Sequence, residues 1–162
     1  QNNISVKLIV DPAKKGTTLT VSSKKLEVIV TSSSKKNPTV TVTKIMDKKA
    51  KKLTIPATVK VKGVTYKVTA ISDRAFKGNK KLTTVTIGSN VTKIGIGAFY
   101  GCKNLKKITV TAGKLTTINR SVFKGVKKNV TISVKDTKKA KTALKKQLKK
   151  KSIGYVKTWK IK

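Results

Sequence analysis

The chain has 162 residues, enough for one domain with a small core. Its 40 Lys and Arg stand against 5 Asp and Glu, a formal net charge of +35, with no histidine and a single cysteine. That balance excludes an intramolecular disulfide, removes the commonest general base and nearly all metal sites, and points to polyanionic partners such as nucleic acid, anionic lipid, wall polymer or acidic glycan.

The chain opens Gln1-Asn2-Asn3 without an initiator Met. No apolar run approaches the ~18 residues that a membrane-spanning helix needs. The expectation is a mature or trimmed portion of a longer polypeptide, with any targeting segment removed. Ile4–Val10 reads as a strand, residues 11–16 as a turn, and Thr17–Val21 and Leu26–Val30 as two further strands. Residues 32–38 read as a mobile loop, and Thr39–Ile45 alternates once more. None of this keeps the period found downstream, so residues 1–50 are predicted to form an antiparallel β cap over the open end of a repeat stack.

Residues 51–134 carry the repeats. Phe76, Phe99 and Phe123 each follow a small or apolar residue and precede a glycine by two positions, with separations of 99 − 76 = 23 and 123 − 99 = 24. Three aliphatic columns keep the same beat: Val85, Ile108 and Ile132; Ile87, Val110 and Val134; Ile71, Ile94 and Ile118. A period in the twenties with apolar positions in register marks a solenoid. In Leu82-x-x-Val85-x-Ile87 the last two apolar residues share one face of a short strand, and the residue between them points outward. The outward column is Thr54, Thr86, Thr109 and Ser133, with Thr84, Lys107 and Thr131 beside it.

The Ala-Phe-x-Gly stretch reads as a helical turn closing each coil. Lys80, Lys103 and Lys127 each stand four residues after a phenylalanine and are expected to form a cationic column along one flank. The first unit, Leu53-Thr54-Ile55-Pro56, precedes the next by 85 − 53 = 32 residues, nine more than the period. A β-hairpin inserted at residues 59–70, turning at Lys62-Gly63, accounts for the excess. Tyr66 within it is expected to pack.

Residues 135–162 are predicted to be a C-terminal cap of one helix and one strand. Asp136 is the expected helix cap, Ala140, Ala143, Leu144 and Leu148 the buried stripe, and Lys149, Lys150 and Lys151 the last turn. Gly154 is expected to stop the helix, and Tyr155–Ile161 to form a strand that buries Trp159.

These residues resemble the BspA-like bacterial leucine-rich repeats, whose units run L-x-x-I-x-I, then V-x-x-I-G-x-x-A-F, then x-x-C. Residues 82–105 match almost position by position, including Val91, Ile94, Gly95, Ala98, Phe99, Cys102 and Leu105, while residues 53–81 and 105–134 match with departures. The cysteine position becomes Asn79 and Val126, and Ile94-Gly95 becomes Ile71-Ser72 and Ile118-Asn119. The resemblance implies a leucine-rich-repeat solenoid, α/β and strand-rich, with short parallel strands between the two caps. It also implies that Cys102 is a buried spacer and that the protein is a secreted or cell-surface binding or adhesion module of a bacterium. Repeat scaffolds carry many activities, so the motif specifies fold more than function.

The residues themselves argue against catalysis. Asp11, Glu27, Asp47, Asp73 and Asp136 are scattered, with no pair recurring at one repeat position. Ser-Lys or Thr-Lys pairings are too common here to carry information. No catalytic, cofactor-binding or metal residues are expected, and no cofactor. Only Arg74 and Arg120 are arginine, and lysine lacks the planar fork that favours base and phosphate readout. The expected partner is a protein or an anionic glycan or envelope polymer, met by the face of Thr54, Thr84, Thr86, Lys107, Thr109, Thr131 and Ser133. Non-specific binding of nucleic acid or another polyanion is the alternative, and a passive segment of a larger surface protein the third reading.

Overall fold

The computed structural model describes residues 9–162. The strand expected at Ile4–Val10 lies largely outside the described residues, and Ile9 and Val10 are not in a strand. Two sheets and a ladder of turns run along a common stacking direction, so each coil touches the next through three hydrogen-bonded runs.

The first strands are β1 (Thr18–Val21), β2 (Leu26–Ser32) and β3 (Thr39–Ile45), an antiparallel meander close to the expected bounds. Next come β4 (Lys52–Ile55), β5 (Thr58–Val61) and β6 (Val64–Ile71). β5 and β6 pair as an antiparallel hairpin whose turn residues, Lys62 and Gly63, have φ of 49° and 81°. Positive φ at both central positions is the turn geometry that matches the twist of paired strands. Tyr66 on β6 is buried, and its hydroxyl accepts the Ala13 N–H at 2.9 Å, so packing explains it.

The repeats then alternate between the sheets: β7 (Thr84–Ile87), β8 (Lys93–Ile94), β9 (Lys107–Thr111), β10 (Thr117–Ile118) and β11 (Thr131–Lys135). One sheet runs β4-β7-β9-β11-β12, where β12 is Lys160–Ile161, and all its pairings are parallel. The other continues the meander in parallel through β3-β6-β8-β10. Parallel neighbours need a long crossover, and here the rest of the coil supplies it. The strands alternate buried and partly exposed residues because only the inner face meets the core.

The Ala-Phe-x-Gly stretch is not helical. The N–H groups of Gly97, Phe99 and Gly101 donate to Arg120, Val122 and Lys124 of the next coil, at 3.1, 3.0 and 2.8 Å. The intervening N–H groups of Ala98, Tyr100 and Cys102 close local turns onto the carbonyls of Gly95, Gly97 and Phe99 respectively. An α-helix would require all of these donors within its own coil. Every second one is committed to the neighbouring coil, so the segment remains a run of turns.

Inside this frame the phenyl rings form a column. Phe76 and Phe99 have centroids 5.2 Å apart, and Phe99 and Phe123 5.6 Å apart, with interplanar angles of 20° and 17°. Trp159 ends the column edge-on, 6.3 Å from Phe123 and 6% exposed. Val85, Ile87, Ile108, Val110, Ile132 and Val134 surround it, all buried, whereas Ile118 is only partly buried.

The C-terminal helix α1 spans Lys138–Leu148. Five expectations for this region are corrected. The cap is Thr137, whose Oγ1 accepts the Ala140 N–H, while Asp136 Oδ1 accepts the Thr137 N–H one step earlier. Leu144 and Leu148 are buried and Ala140 half-buried, but Ala143 is exposed, because the stripe repeats at i, i+4 and i+8 and leaves i+3 outside. Lys145 and Lys146 occupy the last turn, since the helix stops before Lys149; Gly154, at φ 107°, instead ends the short 3-10 turn Lys151–Ile153. Of the strand expected at Tyr155–Ile161 only Lys160–Ile161 pairs, and the residues before it turn so that Trp159 can reach Phe123.

Candidate functional site

The outer face of the parallel sheet is set by strand register. Thr54 pairs with Thr86, Thr86 with Thr109, and Thr109 with Ser133, so the four hydroxyls predicted as a column stand in one row across β4, β7, β9 and β11. Two residues earlier runs a second row, Lys52, Thr84, Lys107, Thr131 and Lys160, again partner to partner across all five strands. All seven predicted face residues therefore fall on two adjacent rows. Lys52 and Lys160 complete the second row and were not legible as site residues in the sequence. Lys52 stands two positions before Thr54, as Lys107 does before Thr109, which was the available signal.

Neighbouring strands are about 4.8 Å apart, so the three lysines recur at roughly 10 Å with a threonine between each pair. Like charges directly opposite one another destabilise a sheet. Alternation with threonine separates them by about a Debye length, ~8 Å at physiological salt. The five strands contain no acid, and Lys52, Lys107 and Lys160 are exposed. Among the described residues the ion pairs are Lys25–Asp47, Lys35–Asp11 and Lys44–Glu27, all near the first three strands. The face thus offers fixed hydroxyls, able to donate and accept, beside cations at regular spacing.

Lys80, Lys103 and Lys127 are all exposed. Lys127 joins Lys106, Lys107, Asn129 and Thr131 around an open cleft of about 360 Å³ beside Lys107 and Thr131 of the row. Lys80 and Lys103 lie outside that cleft, and Asn104 Nδ2 donates to the Lys80 carbonyl at 2.7 Å, tying their coils together.

Cys102 is buried beneath the turns. Its thiol donates to the Phe76 carbonyl at 3.1 Å, and burial pushes its pKa up from 9.0 to about 11, against the opposing pull of the Asn79 backbone N–H. A thiol held protonated and out of solvent is a packing element, not a nucleophile.

Residues 46–158 match a family model described as BspA type Leucine rich repeat region, in six copies. The chain is similar to the crystal structure of a leucine rich cell surface protein from Faecalibacterium prausnitzii A2-165, with 26% identity and a TM-score of 0.58 over 76% of this chain and 38% of that one. It shares its fold with the pneumococcal vaccine antigen PcpA, at 19% identity and a TM-score of 0.51 over 75% of this chain and 42% of that one. The chain therefore spans less than half the length of either structure. No curated protein matches it.

Proposed function

The chain belongs to the BspA-type leucine-rich-repeat family, and from that premise we propose that it is a non-enzymatic binding module of a bacterial cell surface or secreted protein. Its contact surface is the open face of the parallel sheet, and its partner an extended anionic polymer of the host or the envelope, or a protein bearing an acidic strip. The observation that carries this reading is the row Lys52, Thr84, Lys107, Thr131 and Lys160, which repeats charge and hydroxyl along the stacking direction. A spacing of roughly 10 Å between cations is close to the length of two sugar units in an extended chain. The cell-surface relative at 26% identity supports the location. In this reading the N-terminal strands and the C-terminal helix with Trp159 cover the two ends of the stack, and catalysis has no part.

The competing reading is indiscriminate attraction of polyanions by a charge of +35. Titration with heparin, a polyuronate and duplex DNA over a range of salt separates the two. Selective contact predicts that one glycan keeps measurable affinity at high salt, where the others lose theirs. Parallel loss for all three polymers, indifferent to their chemistry, would replace the proposal with the competing reading.

A further inference from the structure

The chain has two arginines among its 40 basic residues, and both line one pocket of about 190 Å³ on the ladder of turns, a side of the coil separate from the lysine row. Three successive coils build it. Arg74, Gly97 and Ser121 each stand two residues before a phenylalanine of the column, and all three have positive φ, at 56°, 59° and 59°. Their N–H groups donate to the carbonyls of Ile96, Arg120 and Ser152 in the following coils. The same conformation is thus repeated, but glycine holds the central position. A Cβ on Gly97 would lie 3.8 Å from Arg74 Cγ and 3.5 Å from Tyr100 Cβ, ordinary van der Waals distances, so the Arg74 stem lies against the middle coil. Arg120 comes from the third coil, its carbonyl held by the Gly97 N–H at 3.1 Å. Lys77 Nζ sits 5.5 Å from the centroid of the Tyr100 ring, which places a third cation at the same pocket.

Among the described residues these cations, Arg74, Lys77 and Arg120, have no ion-pair partner. The nearest acid in sequence, Asp73, turns its Oδ1 to the Ile96 N–H at 2.8 Å. Charge alone does not explain arginine, because lysine supplies it everywhere else. What arginine adds is a planar fork that grips an oxyanion through two parallel bonds, with less hydration to lose than an ammonium.

We propose that this pocket is an oxyanion site. The guanidinium groups of Arg74 and Arg120 hold one carboxylate, sulfate or phosphate group, Lys77 adds charge, and the Ser121 hydroxyl is a further donor. The site works independently of the sheet face, and its volume suits a single oxyanion with its water, not a polymer strand.

With only two arginines, uniformly 15N-labelled protein gives two arginine Nε–H signals, each a direct reporter, beside the backbone amide signals. Inorganic sulfate, inorganic phosphate and acetate are titrated at constant ionic strength maintained with sodium chloride. The expected result is that both signals follow one saturating curve for at least one oxyanion, and that the Gly97 amide moves with them while those of Thr86 and Thr109 do not. Arg74→Lys and Arg120→Lys, which keep the charge, each weaken that binding by about tenfold, as the loss of a charge-assisted bond requires. Shifts that rise without saturating, or affinities unchanged in both lysine variants, would reduce the pocket to general counterion attraction and overturn the proposal. Methyl sulfate and methyl phosphate identify the source: affinity equal to that of the inorganic ion assigns pendant ester groups of a polymer, and a marked preference for the inorganic ion assigns free oxyanion.

Discussion

Phe99 stacks on Phe76 with ring centroids 5.2 Å apart and planes 20° from parallel. Phe123 stacks on its other side, so Phe99 is the one ring with a phenyl neighbour on both faces, and it is fully buried. Phe99→Ala is expected to cost about 3–5 kcal/mol, because the coils above and below are stitched through their backbones and cannot collapse into the gap. Denaturant melts of the variant measure the cost. A loss under about 1 kcal/mol would mean that the ring column does not anchor the core.

Gly95 marks a close approach of two coils. A Cβ there would meet Asp73 N and Oδ1 at 2.5 Å and Ser72 C at 2.7 Å. Backbone cannot swing aside as the tip of a side chain can, so Gly95→Ala should destabilise by roughly 1–3 kcal/mol. It should also break the hydrogen bond from the Ile96 N–H to Asp73. Thermal melts, together with the amide exchange rate of Ile96, test both halves of this expectation. Unchanged stability with a protected Ile96 amide would show that the coils have slack.

Burial of the Cys102 thiol ties stability to alkaline pH. Its pKa rises from 9.0 to about 11 on folding, so between those values the folded chain retains a proton that the unfolded chain has lost. The stabilisation is complete below pH 9.0 and disappears as pH climbs through about 11. Two pKa units correspond to roughly 2–3 kcal/mol. Measured against Cys102→Ala, which shares every other titrating group, the stability advantage of the thiol should shrink by about that amount across this window. An advantage independent of pH would mean that the thiol ionises as freely folded as unfolded.

The strands were legible in the sequence because two periods coincide: alternate residues within each strand, and 23 or 24 residues between coils. That fixed the inward columns, the row of Thr54, Thr86, Thr109 and Ser133, and the hairpin around Lys62 and Gly63. The turns around Phe99 read as helical in the sequence because composition does not tell whether an N–H finds its partner in its own coil or the next one. Thr137 displaced Asp136 as helix cap for an equally local reason, since either side chain can accept an N–H at a helix start. Lys160 entered the lysine row only through its pairing with Thr131, a contact between the last strand and the end of the repeats that no period announces. The two arginines did carry a signal: 120 − 74 = 46, one short of the 47 residues from Phe76 to Phe123, which places Arg120 two coils on and one residue before the register of Arg74.

The most direct test of the binding face compares two variants of equal charge. One replaces Lys52, Lys107 and Lys160 of the row with Gln, and the other replaces Lys14, Lys15 and Lys36, all exposed and outside that sheet. Heparin affinity at moderate salt is the measurement, with far-ultraviolet circular dichroism confirming that both variants fold. Binding through the sheet face predicts that the row variant loses on the order of tenfold or more in affinity while the other stays close to the parent protein. Equal losses in the two variants would contradict it, and would mean that net charge, not the arrangement of lysine and threonine across the strands, attracts the polymer.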